Sequence, residues 1–200
     1  APVPAKERER YGYVTVDGDD QVRALHEKPE RPGGDTVSAA IYVFRARELC
    51  ARLGRPDLGP DLVHDVIQAM IAEGQRVLAY PLRGYWRDIG TIDAYYESNM
   101  DLVCPVPALN LYDPDWLIFT PSEDRSPAVL GAGADVAMSL VSHGARVDGT
   151  VRNSVLFPGV HVGAGAVVED SIVMHDARVL SGARVARAIV DKNVVIGAGA

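Results

Sequence analysis

Cysteine is nearly absent from this 200-residue chain: only Cys50 and Cys104 are present, far apart and in no C-x-x-C spacing. That excludes a disulfide framework and a cysteine zinc site, and it fits free thiols in a cytosolic protein. Long apolar runs are also missing, and no basic-then-apolar leader opens the chain. A cytoplasmic protein that neither spans a membrane nor carries a signal peptide is therefore expected. Excess positive charge is lacking too. The formal net charge of -7 excludes non-specific nucleic-acid binding, while a local basic pocket could still take a phosphate. Finally, the chain lacks an initiator methionine and breaks off at Ala200 inside a repeat, so a piece of a longer protein is expected.

What is present describes a globular protein, 48% hydrophobic and 24% charged, with length for one domain or two small ones. Tyr11 to Asp17 alternates, breaks at Asp17-Gly18-Asp19-Asp20, and resumes from Val22 to Glu27, which predicts a β-hairpin. Glu30 to Asp35, with Pro32, Gly33 and Gly34, predicts a loop. Val37 to Phe44 predicts a strand buried on both faces, and Arg76 to Leu82 a further strand. Ala46, Leu49, Cys50 and Leu53 fall at helical spacing before Gly54. A second helix follows, with Pro60 in its first turn, Leu62, Val63, Val66, Ile67, Met70 and Ile71 on the buried face, and Gly74 at its end. Thr91 predicts the cap of a third helix, with Ile92, Tyr95, Leu102 and Val103 inward. Such alternation predicts a layered α/β domain over residues 1–103, read as the second half of one. Residues 104–128, rich in proline, predict a linker pinned by Tyr112, Trp116 and Phe119.

From residue 129 the period changes. Val151, Val168 and Val185 coincide when three segments are aligned, as do Leu156, Val173 and Val190, and Val162, Val179 and Ile196. The repeat is about 17 residues in steps of about five, six and six, one inward aliphatic per side of a three-sided coil. Residues 129–200 are therefore predicted to form a hexapeptide-type left-handed parallel β-helix. Alternating strands of an ordinary sandwich would not hold that register.

Three constellations could carry chemistry. Glu27-Lys28-Pro29 ends a strand, where proline favours extended backbone; the lysine can meet a phosphate, and the carboxylate can accept hydrogen bonds from sugar hydroxyls. A surface Glu-Lys pair before a loop would look the same. Asp88, in Tyr85-Trp86-Arg87-Asp88-Ile89-Gly90-Thr91, stands at a turn into a helix, suited to a Mg²⁺ ligand and equally to an aspartate that only orders the turn. Trp86 and Arg87 could wall a pocket or serve as core and surface. His161 lies in a β-helix coil, the setting in which acyltransferases of that fold keep a general base; an exposed histidine on a coil face reads identically.

Taken in order, Tyr11-Gly12, Glu27-Lys28-Pro29, Ser38 to Phe44, Asp57-Leu58-Gly59 with Asp61-Leu62, the Tyr85 to Thr91 cluster, and Tyr112-Asp113 with Trp116 resemble the bacterial glucose-1-phosphate adenylyltransferases (ADP-glucose pyrophosphorylases). The resemblance implies the second half of a Rossmann-like nucleotidyltransferase domain followed by the β-helix. It also implies ATP and glucose 1-phosphate as substrates, ADP-glucose and pyrophosphate as products, Mg²⁺ as cofactor, allosteric control and a homotetramer. By resemblance, Gly12, Glu27, Lys28 and Ser38 contact the sugar phosphate, Trp86 helps enclose it, and Asp88 is one of two metal aspartates. The family's Ser-Met-Gly-Ile-Tyr reads Ser38-Ala39-Ala40-Ile41-Tyr42 here. The Gly-rich nucleotide loop and second aspartate belong, by the same resemblance, to a half that precedes these residues. Another sugar-1-phosphate nucleotidyltransferase, or a non-catalytic subunit of the same fold, would share most of these motifs.

Overall fold

A computed structural model describes residues 10–28, 36–120 and 124–200. The chain divides into two compact units, Ala1–Trp86 and Arg87–Ala200.

In the first unit, β1 (Tyr13–Val16) and β2 (Val22–His26) form the expected antiparallel hairpin, with an irregularity between Thr15 and Val16. Asp17 closes the turn, its Oδ1 accepting from the backbone N–H groups of Asp19 and Gln21, both at 3.0 Å. The loop predicted at Glu30 to Asp35 lies outside the described residues.

The two further strands are corrected. Val37 makes a single bridge to Tyr13, and Leu78 a single bridge to Gln21; neither segment continues as a strand. The segments run beside the hairpin through Ser38 N–H to Gly12 O and Val22 N–H to Val77 O, each 2.8 Å. Ala79 N–H also donates to Asp20 O at 2.8 Å, but the rest of each run leaves the hairpin, and Val43 and Tyr80 are 96% and 90% exposed. A strand buried on both faces needs partners on both sides, and an apolar run alone does not supply them.

The helices form as expected, with altered faces. Helix α1 (Ala46–Leu53) ends at Gly54, yet Leu53 is exposed and the buried residue is Arg52, whose guanidinium pairs with Glu73. The second helix begins as a π-helical stretch, Leu62–Ile67, and continues as α2 (Gln68–Ala72). Its cap is Asp61, whose Oδ1 accepts from Val63 N–H at 2.9 Å and His64 N–H at 2.7 Å, so Pro60 stands just outside. Val66, Ile67 and Met70 are buried as expected, whereas Leu62 is exposed. Gly74, at φ 72°, terminates it.

In the second unit, Thr91 Oγ1 accepts from Ala94 N–H at 3.1 Å and caps α3 (Ile92–Met100). Ala94 and Val103 are buried there, while Ile92, expected inward, is exposed. Tyr112, Trp116 and Phe119 are also exposed, so they do not pin the linker. Arg125 does so instead, near the linker's end, through two bonds to Asp176 of 2.6 and 3.0 Å.

Residues from Val129 form a parallel β-helix of three sheets, with four, four and five strands. Pairing aligns Val151, Val168 and Val185, then Leu156, Val173 and Val190, then Val162, Val179 and Ile196, as the repeat requires. Val147, Val151, Leu156, Val162, Val168, Val173 and Val179 are fully buried inside. Each contributes about 1.5–3 kcal/mol, so stacking of coils makes the module stable.

The coil before the aligned segments is shorter. Val136 pairs with Val151, and Val151 with Val168, separations of 15 and 17 residues. The two-residue saving falls at Asp148-Gly149, where a Cβ on Gly149 would sit 2.4 Å from the Ala166 carbonyl oxygen and 2.6 Å from that of Gly163. At another corner a ladder of hydroxyls links coils. Ser154 Oγ donates to Arg152 O and accepts from Ser171 N–H, and Ser171 Oγ donates to Glu169 O and accepts from Ala188 N–H. Ser154 and Ser171 are buried and fully used. Helix α3 attaches at this corner, Tyr96 donating its hydroxyl to the Asp170 carbonyl oxygen at 2.6 Å.

Candidate functional site

Five of the six residues singled out for the sugar phosphate and metal lie in the first unit, joined by short contacts. Gly12 leads into β1, and its backbone faces the end of β2 because the strands are antiparallel. A Cβ on Gly12 would stand 2.8 Å from Glu27 Oε2, so glycine lets the Glu27 carboxylate lie across the strand. The Gly12 carbonyl oxygen accepts from Ser38 N–H at 2.8 Å, which brings Ser38 beside both. Trp86 rests against Tyr11, with ring centroids 5.7 Å apart at 59°. Tyr11 is buried and Trp86 half-buried, so part of the indole stays open to solvent.

Lys28 follows, with Nζ 3.8 Å from Glu27 Oε1. Its side chain is mostly exposed, leaving the ammonium available to an anion. The expected extended backbone is corrected here: Lys28 has φ 43°, in the left-handed region. The ladder ends at the Tyr13–His26 pair, so among the described residues no partner strand holds Glu27 and Lys28 straight. Near this lysine, the Asp61 carboxyl is held below its usual range. The His64 N–H contributes most, against desolvation, and the Val63 N–H and the charges of His64 and Lys28 add to it.

Ser38 is part of a tight turn. Its Oγ accepts from Ala40 N–H at 3.2 Å and lies 3.2 Å from the Tyr42 hydroxyl. Ala40 has φ 55°, a conformation that glycine takes without cost. That is the position where the family pattern has glycine. Here the left-handed conformation falls on a residue that carries a Cβ.

Asp88 belongs to the second unit and is half-buried, between Arg87 and the capping Thr91. The bond that caps α3 is accepted by Thr91. Among the described residues no three His, Cys, Asp or Glu side chains gather as a metal site. One carboxylate is nevertheless a fitting donor for Mg²⁺, which usually takes one or two carboxylates with substrate phosphates and water.

Two other features stand apart from this constellation. A cavity of about 280 Å³ is lined by Arg52, Arg55, Leu58, Gly59, Pro60 and Val66, none of them a site residue. His161 sits on a coil face with Nε2 3.7 Å from Asp148 Oδ2, a carboxylate already engaged by Arg146 at 2.8 Å. Sequence reasoning gave no role to Tyr11 beyond the motif, nor to Tyr42. Neither the ring contact nor the turn bond leaves a spacing signal.

Two family models match the chain. The "Nucleotidyl transferase" family model matches residues 1–103, and the "GlmU-like, C-terminal hexapeptide" model matches residues 129–200. The chain is 40% identical over 199 residues to the glucose-1-phosphate adenylyltransferase of Acetivibrio thermocellus, covering 98% of this chain and 47% of that protein. It is 42% identical over 166 residues to that of Thermotoga maritima, covering 80% of this chain and 39% of the relative. No helix among the described residues is long and apolar enough to cross a membrane. The chain thus spans less than half the length of these relatives.

Proposed function

The chain belongs to the nucleotidyl transferase family, and on that premise we propose that it is the sugar-phosphate side of an enzyme joining ATP and glucose 1-phosphate into ADP-glucose and pyrophosphate. In that reaction a phosphate oxygen of glucose 1-phosphate bonds to the α-phosphorus of ATP. The bond from that phosphorus to the departing pyrophosphate breaks. No covalent enzyme intermediate is needed, so the protein acts by positioning and by balancing charge.

The observation that carries this reading is the joined set Gly12, Glu27, Lys28 and Ser38 with the Tyr11–Trp86 wall. Lys28 meets the phosphate as a point charge. Glu27 accepts hydrogen bonds from sugar hydroxyls, and Ser38 supplies a further polar contact. The exposed part of Trp86 helps enclose the sugar phosphate. Asp88 would be one ligand of Mg²⁺, which when bound neutralises charge on the transferring phosphates. The β-helix serves assembly and effector control in a homotetramer, without taking part in the chemistry.

Lys28→Ala in the full-length protein tests the site. A charge-assisted contact to phosphate contributes about 1.5–3 kcal/mol, so KM for glucose 1-phosphate should rise about ten- to a hundredfold. KM for ATP should stay nearly constant. An equal rise for both substrates would remove Lys28 from the sugar-phosphate side.

A further inference from the structure

Arg87 lies between the proposed wall residue Trp86 and the proposed metal ligand Asp88. In the structure its guanidinium is committed to α3. Nη1 donates to Asp101 Oδ2 at 3.0 Å, and Nη2 donates to Glu97 Oε2. Glu97 and Asp101 are four residues apart, so their carboxylates rise from one face of the helix end and grip the guanidinium together. Arg87 with its two carboxylates sums to one negative charge, so the cluster has no net positive charge to offer a substrate phosphate.

At the opposite end of α3, Thr91 accepts from Ala94 N–H and fixes the first turn. The residue before Asp88 is therefore clipped to the last turn of the helix, and the residue three after it caps the first. Helix α3 is nine residues long, about 13 Å at 1.5 Å per residue. Residues 87–91 are thus tied at both ends to one rigid rod, and the rod is tied to the β-helix through Tyr96 and Asp170. A segment without regular structure gains a fixed path by this means.

We propose that Arg87 is a positioning residue for Asp88: its clip to Glu97 and Asp101 holds the Asp88 carboxylate where the metal is bound. The proposal rests on the reading of Asp88 as a metal ligand, and its tests separate the two. Misplacement of a reacting group by about 1 Å can cost about a hundredfold in rate. In the full-length protein, Arg87→Gln should lower kcat about ten- to a hundredfold. KM for glucose 1-phosphate should change less than about twofold. Mn²⁺ affinity, read by electron paramagnetic resonance with ADP-glucose bound, should weaken about tenfold.

Glu97→Gln, an exposed substitution that leaves the fold intact, should move kcat and Mn²⁺ affinity the same way by less. The double variant should be no worse than Arg87→Gln, because the clip is already open. Strictly additive effects, or unchanged Mn²⁺ affinity in both single variants, would overturn the proposal. A silent Glu97→Gln with a raised KM in Arg87→Gln would make Arg87 a substrate ligand instead. Asp88→Asn separates the layers. If it abolishes turnover while Arg87→Gln is silent, positioning alone fails; if it leaves kcat normal, the metal reading fails and this inference with it.

Discussion

Ala40 offers a test of the site's backbone in which the variant should be more stable than the natural sequence. Its φ of 55° puts an L-residue in the left-handed region, where Cβ crowds the following carbonyl oxygen at a cost of about 1–2 kcal/mol. Ala40→Gly relieves that crowding. Glycine in turn widens the unfolded ensemble and costs about 0.4–1 kcal/mol. The difference, about 0.8 kcal/mol at mid-range, favours glycine. For a full-length protein about twice as long as this chain, at about 2.1 cal/mol/K of unfolding entropy per residue, it corresponds to a rise in melting temperature of about 1 °C. Ala40 is exposed, so no packing is lost, and the Ser38 Oγ bond to the residue 40 N–H is retained.

The neighbouring position provides a control of opposite sign. Ala39 is not among the residues of positive φ, so Ala39→Gly gains nothing in the folded state and should lower the melting temperature. Calorimetry of the full-length protein and both variants decides the matter. If Ala40→Gly melts below the parent, as Ala39→Gly should, the left-handed turn beside Ser38 is not the native conformation.

Gly12→Ala should act on binding more than on stability. The added methyl meets the mobile end of Glu27 at 2.8 Å and displaces its carboxylate; we expect a raised KM for glucose 1-phosphate at an almost unchanged melting temperature, and an unchanged KM would separate Glu27 from the sugar. Deletion of residues 129–200 from the full-length protein should reduce the oligomer and abolish effector response, both read by light scattering and steady-state kinetics. A normal oligomer and normal activation after that deletion would refute the role given to the β-helix.

The β-helix was legible because each side of a coil admits one inward aliphatic, so Val151, Val168 and Val185 had to align. The short coil was not. It depends on Gly149 passing close to two carbonyl oxygens, which no period records. Thr91 and Gly54 were readable as helix ends because capping chemistry is local. The segments at 37–44 and 76–82 were misread because a strand is defined by its neighbours, and each segment has one bridge. Arg52, buried against Glu73 across 21 residues, belongs to the same class. At the site, Lys28 and Asp88 stood out as motif residues. The contact of Gly12 with Glu27, the strained Ala40 and the grip on Arg87 exist only once the chain is folded.

The central claim is that these residues serve adenylyl transfer to a sugar 1-phosphate. Its most direct test is the full-length protein incubated with ATP, glucose 1-phosphate and Mg²⁺, with ADP-glucose and pyrophosphate measured together. The account predicts that the two products form in equal amounts, and that formation is lost in Asp88→Asn while the melting temperature holds. Absence of ADP-glucose from the well-folded parent, or undiminished formation by Asp88→Asn, would contradict it.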